Sequence, residues 1–97
     1  MKAIAVIDKR ENPNTLSVGG SIITYNEMDT VILRFAIPQG FNPLILLLDV
    51  IVTEVEGPKK GTEKHFFYDQ VDNTSSFKQV ELRYNNESMI VDIAMLA

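Results

Sequence analysis

Short runs rich in Val, Ile, Thr, Tyr and Phe recur along the chain, and each ends in a cluster of Gly, Pro, Asn or Asp. The first group is enriched in strands and the second in turns. No stretch carries apolar residues at the i, i+3, i+4, i+7 spacing of an amphipathic helix. Strands about 10 residues apart, separated by turns, are typical of a β-sandwich or a small barrel. We therefore predict an all-β fold, a single Ig-like antiparallel β-sandwich of about seven strands, with residues 1–97 forming one domain.

The apolar runs and their turn residues define the predicted strands. These are Lys2–Asp8, Leu16–Thr24, Thr30–Ile37, Leu44–Glu56, Thr62–Gln70, Phe77–Tyr84 and Ser88–Leu96. The third has the clearest alternation, which predicts that Val31, Leu33, Phe35 and Ile37 face the core. A tight turn is expected at residues 85–87, because Asn-Asn favours the turn conformation.

Three further local features are expected. Gly19-Gly20 inside the second strand indicates a bulge or a break. Gly57–Gly61 is predicted to close a projecting hairpin between the fourth and fifth strands, with Glu54 and Glu56 opposite Lys64. The last strand is predicted to lie at a sheet edge, where Asp92 would protect it from pairing with another chain.

Composition argues against several classes of function. The net charge is −4 and the nine Lys and Arg residues are scattered, which disfavours binding to a phosphate backbone. The chain has no cysteine, so disulfides, thiolate chemistry and Cys-ligated zinc are excluded. The apolar runs Ala3–Ile7 and Pro43–Leu48 are too short for a signal peptide or a membrane span. We expect no membrane partner and a location in a virion or the cytoplasm.

Candidate chemical sites are few, and each has a simpler structural explanation. His65 is the only histidine and has no nucleophile beside it. Asp69, Asp72, Asn73 and Ser75 could line a calcium loop, but the group lacks the glycine and glutamate of an EF-hand loop, and turn chemistry explains it equally well. Glu27 and Asp29 are expected to lie in a solvated loop. We predict no catalytic residue, no cofactor and no metal.

Contact residues are predicted on the aromatic strand, the projecting hairpin and the last strand. Phe66 and Tyr68 share one face of a strand and Phe67 takes the other, so either one or two aromatic rings are exposed. The predicted interaction residues are Val55, Phe66, Phe67, Tyr68, Ile90 and Asp92.

Residues 20–60 carry a family resemblance. The run 22–37, with its acidic Asp29-Thr30 turn leading into an alternating strand, is followed by a Pro/Gly turn and the apolar strand Leu44–Val52. This order resembles the N-terminal domain of phage upper-baseplate proteins. The resemblance implies an Ig-like sandwich that docks on other tail proteins and carries no catalysis, and it transfers no functional residue.

The function expected first is therefore that of a structural or interaction module. Its partners would be other protein subunits, either copies of itself in a homo-oligomer or phage tail proteins. One alternative is a small carbohydrate-binding module that stacks sugars on Phe67, Tyr68 and Tyr25. A second alternative is a small acidic inhibitor of a host protein, which would gather its carboxylates on one face.

Overall fold

The computed structural model describes residues 1–10, 12–57, 59–71 and 76–96, and the strands account for most of them. They are β1 (Lys2–Asp8), β2 (Thr15–Thr24), β3 (Thr30–Phe35), β4 (Ile45–Thr53), β5 (Thr62–Gln70), β6 (Gln79–Tyr84) and β7 (Glu87–Leu96). Every predicted run forms a strand, and the described residues contain no helix. The all-β prediction is confirmed.

The seven strands form one mixed sheet in the order β3-β4-β6-β7-β1-β2-β5. Two neighbouring pairs are parallel, β1 with β7 and β4 with β6, so the predicted purely antiparallel arrangement is wrong. Strand β7 connects the two halves of the sheet, because residues 87–92 pair with β6 and residues 93–96 pair with β1. The predicted Ig-like sandwich is not confirmed, since a single continuous sheet replaces two separate layers.

The sheet curves until its two end strands lie side by side. Strands β3 and β5 are in contact but do not pair. At one end of this seam, the Nζ of Lys64 donates to the carbonyl oxygen of Glu27, and the N–H of Lys60 donates to the carbonyl oxygen of Tyr25. The result is a flattened, nearly closed barrel that measures 45 × 28 × 18 Å.

The core fills the inside of this barrel with alternate residues of most of the strands. The fully buried large side chains are Ile7, Leu16, Val18, Leu46, Leu48, Phe66, Val80 and Leu82. Complete burial of such a side chain contributes about 1.5–3 kcal/mol to folding. The aliphatic residues at every second position of β1, β2, β4 and β6 thus drive the sheet to close around one core.

The predicted hairpin between β4 and β5 is wrong. Strand β5 pairs with β2 along its whole length, and β4 pairs with β3 and β6. Residues 54–57 and 59–61 therefore belong to a crossing connection at the end of the barrel, which is not the turn of a β4–β5 hairpin. Its Gly and Pro residues indicate that the chain reverses direction there, but they do not determine which strand β5 pairs with after the reversal. The charge pairing expected between Lys64 and the acidic pair Glu54 and Glu56 is replaced by the bond from Lys64 to Glu27.

Gly19 and Gly20 lie where β2 pairs with β1 on one side and with β5 on the other. The register continues through both glycines without a bulge, so the predicted bulge or break is wrong. A Cβ on Gly20 would lie 2.1 Å from the carbonyl oxygen of Lys2 and 2.8 Å from the ring of Phe66. The two glycines stand directly opposite Phe66 and Phe67. Gly20 thus leaves the space that the ring of Phe66 occupies, whereas a Cβ on Gly19 would be at ordinary contact distance from the ring of Phe67.

Two predictions about strand ends are also corrected. Strand β7 lies inside the sheet between β6 and β1, so it is not an edge strand; the ends of the sheet are β3 and β5. Strand β3 ends at Phe35, and Ile37 lies beyond it with 88% of its surface exposed, so Ile37 does not face the core. Ala36 is the buried residue of that segment.

Candidate functional site: an exposed apolar row on the outer face

Large apolar side chains remain exposed in several places. The first is the outer face of β1, β2 and β5; others are the loop between β3 and β4, with Ile37 and Phe41, the end of the barrel near Tyr25 and Val55, and single residues such as Ile32 on β3 and Ile90 on β7. Apolar residues scattered over a surface are ordinary, whereas a contiguous patch indicates a binding surface. The first place is a contiguous patch, because its members stand in register on neighbouring strands.

We call Ile4, Gly19 and Phe67 the Phe67 row. Ile4 of β1 is opposite Gly19 of β2, which is opposite Phe67 of β5. Ile4 is 70% exposed and Phe67 77% exposed. The position of a Cβ on Gly19 would be 3.6 Å from two ring atoms of Phe67. One side of the ring therefore lies near the glycine backbone, and an apolar strip crosses three strands.

A shallow groove of about 360 Å³ runs beside this row. Its lining residues are Lys2, Ala3, Ile4, Gly19, Gly20, Ser21, His65 and Phe67. Gly19 leaves the floor of the groove without a side chain between Ile4 and Phe67, whereas Gly20 stands in the inward-facing row with the buried Phe66 and contributes only its backbone. The groove is lined mainly by apolar surface, and its polar groups lie along one side of the row.

The two rows beside the Phe67 row differ in charge. On one side, Val6, Ser17 and Asp69 stand in register, and the hydroxyl of Ser17 donates to the Asp69 carboxylate at 2.7 Å. We call these residues the acidic flank. On the other side, Lys2, Ser21 and His65 stand in register, and we call them the basic flank.

His65 is open to solvent on the basic flank. Its side chain is 66% exposed, and its Nε2 lies 3.7 Å from the carboxylate of Glu63 on the same strand. The hydroxyl of Ser21 donates to the other oxygen of that carboxylate at 3.3 Å. The contacts explain His65 as a surface strand residue.

The three consecutive aromatic residues of β5 divide between the two faces as the alternation predicts. Phe66 is 1% exposed and fills the core, so its assignment as a contact residue is wrong. Tyr68 packs against the same core, and its hydroxyl donates to Oε1 of Gln70 at 2.7 Å. Burial raises the pKa of Tyr68. Phe67 is the one ring of the three that is available to a partner.

The remaining predicted contact residues lie apart. Val55 is exposed at the end of the barrel. Ile90 and Asp92 are exposed on β7, inside the sheet, and Oδ1 of Asp92 accepts a hydrogen bond from the side chain of Gln79 at 2.8 Å. Asp92 therefore does not protect a strand edge.

Asp29 is a structural residue and does not belong to a solvated loop as expected. It is 4% exposed, and its carboxylate accepts the N–H groups of Val55 at 2.9 Å and Asn26 at 3.0 Å. These bonds, led by that from Val55, hold the pKa of Asp29 below its usual value, although burial opposes them. The carboxylate thereby ties the connection after β4 to the connection after β2.

Two other clefts are explained by contacts among their own residues. A polar cleft of about 640 Å³ between β4 and the β6–β7 turn contains Arg83 and Asp49, which form an ion pair at 2.9 Å. A second, of about 480 Å³, contains Asp29 and Tyr25, with the Lys59 ammonium 5.9 Å from the ring centroid of Tyr25. In each cleft, these charged groups have a neighbour within the chain.

Among the described residues, no three His, Cys, Asp or Glu side chains come together as metal ligands. Asp72, Asn73 and Ser75 of the suggested calcium loop lie outside the described residues, and Asp69 accepts its bond from Ser17. No helix long and apolar enough to cross a bilayer occurs in the described part of the chain.

Sequence reasoning missed Ile4 and Gly19. The available signal was Ala3–Ile7, which is apolar on both faces of a strand although the strand needs only one face for the core. The additional apolar residues on the outer face could have indicated that this face is covered by a partner. Which strand would lie beside it could not be read from the chain, because that depends on long-range pairing.

Comparison of this chain with models of protein families, with curated proteins and with solved structures gives no match. The functional argument therefore depends on the geometry of the chain itself.

Proposed function

We propose that this chain is a non-catalytic structural module that docks on other protein subunits through the Phe67 row, in an assembly of the phage tail or baseplate type. The observation that supports this most is the exposure of Phe67. An aromatic ring with 77% of its surface in water, with the 70% exposed Ile4 on the other side of Gly19, favours burial against a partner. The phage-type setting is supported by the resemblance of residues 20–60, and the module would then act in the virion or in the cytoplasm during assembly.

The Phe67 row has the rigidity and the distribution of apolar and polar residues that protein contact surfaces have. Its residues lie on paired strands, so their positions are fixed by backbone hydrogen bonds and little ordering entropy is lost on binding. Aromatic and aliphatic residues at the centre with polar residues at the rim follow the usual anatomy of an interface. The residues that flank the row supply such a rim.

Site-specific photocrosslinking tests this proposal directly. A benzophenone amino acid replaces Phe67 in one sample and Ile32 in another, and each protein is irradiated in its native host. Ile32 is a matched control because it is an exposed apolar residue on the outer face of β3, away from the row. A discrete protein adduct from position 67, absent from position 32, is expected. Equal or absent adducts at both positions would contradict the proposal.

A small carbohydrate ligand is the second candidate, favoured by the groove beside the exposed ring of Phe67. Tyr68 is half-buried, so it offers no free stacking face. Tyr25 lies one residue past the end of β2 that pairs with Thr62, and Phe67 is five residues along β5, so about 17 Å of strand separates them. A sugar would depend on Phe67 alone. Titration with a glycan panel that leaves the NMR signals of Phe67 and His65 unchanged would exclude this function.

A further inference from the structure

The charge distribution around the Phe67 row is antisymmetric. The acidic flank carries Asp69, and the basic flank carries Lys2 and His65, with the apolar row between them. On β5 this reads as Asp69, Phe67 and His65 at alternate positions of one face. A surface of this kind is complementary to itself when a two-fold axis runs along its apolar line.

The direction of the axis follows from the charges. An axis along the row, perpendicular to the strands, places the acidic flank of one copy over the basic flank of the other. Asp69 then meets His65 of the second copy, and the same contact repeats on the other side, as an isologous interface requires. An axis along the strands would instead place Lys2 over His65 and Asp69 over Val6, so that the carboxylate would face an apolar side chain. The first arrangement is therefore the favourable one.

We infer that the partner on the Phe67 row is a second copy of this chain, related by a two-fold axis along that row. The inference rests on the proposed docking function and names its partner. In the dimer, the Phe67 ring of one copy packs on the Phe67 ring of the other, and Ile4 packs on Ile4. The stem of Lys2 lies over Val6 of the second copy, where an aliphatic chain can cover an apolar side chain.

The charged groups around His65 support the same geometry. Glu63 lies at one side of the imidazole on its own strand, and Lys2 stands in the same row on β1. The side chain of His65 is two-thirds exposed, so a carboxylate from outside can reach it. Asp69 is exposed and its hydrogen bond from Ser17 orients its carboxylate on the same face.

The size of the surface predicts a weak dimer. Three rows on three strands cover roughly 300 Å² per copy, from the usual strand spacing and rise. Stable complexes bury about 800 Å² per partner. We therefore expect a concentration-dependent dimer with a dissociation constant in the range of about 10 µM to 1 mM.

The test measures the dimer dissociation constant of the purified chain by sedimentation equilibrium up to about 1 mM. Asp69→Lys removes the carboxylate that would accept a hydrogen bond from the imidazole of His65, and it should weaken association about tenfold. The double variant Asp69→Lys with His65→Asp places a carboxylate opposite the introduced ammonium at both contacts. It should restore association to within about threefold of the original chain, because both contacts become favourable again. Urea unfolding of each variant shows whether the fold is retained.

Each outcome has a defined meaning. Recovery in the double variant supports the axis along the row. A chain that stays monomeric at the highest concentration, or a folded double variant that does not recover, overturns the inference. If position 67 crosslinks to a different protein while the pure chain stays monomeric, the docking function stands and the second copy is excluded as the partner. If position 67 gives no adduct, the docking function itself fails.

Discussion

Single side chains determine whether two distant segments of this fold stay together, and Asp29 is the clearest case. Its carboxylate accepts the N–H of Val55, across 26 positions of the chain, and that of Asn26. A neutral amide in its place would present its own hydrogens to one of these donors. The connection after β4 would then lose its attachment to the β2–β3 loop.

We predict that Asp29→Asn lowers the free energy of unfolding at pH 7 and that the difference from the original chain shrinks in acid. The pKa of Asp29 is lowered in the folded state, so its stabilising effect is present above the unfolded value of about 3.9 and is lost as the pH falls through the folded value. Urea midpoints at pH 7 and below pH 3.9 measure this. Glu27→Gln is the control, since Glu27 is exposed in the same loop. If Asp29→Asn lowered the free energy of unfolding equally at both pH values, this would contradict a stabilising role for the ionised carboxylate of Asp29.

Gly20 and Gly19 offer a matched pair at the same scale. Gly20→Ala should destabilise the chain by about 2 kcal/mol or more, because the new Cβ meets the backbone oxygen of Lys2 and the ring of Phe66. Gly19→Ala should cost less, since its Cβ would lie at ordinary contact distance from the ring of Phe67. Thermal or urea unfolding compares the two, and a larger loss at Gly19 would contradict the packing described.

At the scale of elements, the loop between β3 and β4 shows how one side chain extends a strand. The side-chain amide of Gln39 donates to the carbonyl oxygens of Ala36 and Leu47, and its Oε1 accepts the N–H of Leu47, each at 2.8 Å. It takes the place of a paired strand beside β4 after β3 has ended. The loop that carries Ile37 and Phe41 is held in position by these bonds.

Gln39→Ala should lower the free energy of unfolding by about 2 kcal/mol, because a backbone N–H that the amide now satisfies loses its partner. Gln79→Ala removes only an exposed bond to Asp92, and it should change stability by less than about 0.5 kcal/mol. Urea denaturation of both variants measures the difference. Similar small decreases in the free energy of unfolding for the two variants would show that the amide of Gln39 does not take the place of a paired strand.

The strands themselves could be predicted from sequence because alternation and turn residues are local signals. β1 and β5 have the bounds that their composition indicates. Partners of strands could not be predicted, since pairing is decided by contacts far apart in the chain. The hairpin expected between β4 and β5 is the example: the Gly and Pro residues of the connection are a local signal, but β5 pairs with β2, which lies far earlier in the chain.

The candidate site could be predicted only in part, for the same reason. Alternation on β5 left one or two aromatic residues exposed, and Phe67 is one of them. The other two members of its row stand on β1 and β2, and only the tertiary register places them together. The prediction of Val55 and Ile90 as contact residues assumes a projecting β4–β5 hairpin and an edge position for β7. The chain adopts neither arrangement, and both residues lie outside the row.

The whole molecule is a flattened barrel. The two end strands of its sheet, β3 and β5, lie in contact with each other but do not pair. Such edges often attract another chain. Here the two edges lie beside each other, and Lys64 crosses from β5 to the β2–β3 loop at one end. The outer face of β1, β2 and β5, with the apolar residues of the Phe67 row in register, remains open to a partner. We therefore place the contact between copies on this face and not at the β3 and β5 edges.

The most direct measurement of that contact is the solution mass by light scattering, over a concentration series, for the original chain, Phe67→Ser and Ile37→Ser. The monomer is 10.9 kDa. We predict a mass that rises towards twice this value for the original chain and for Ile37→Ser, because the exposed side chain of Ile37 lies away from the row. Phe67→Ser should remain at the monomer mass throughout. An original chain that stays monomeric, or a Phe67→Ser variant that associates as the original does, would contradict the claim that two copies meet at the Phe67 row.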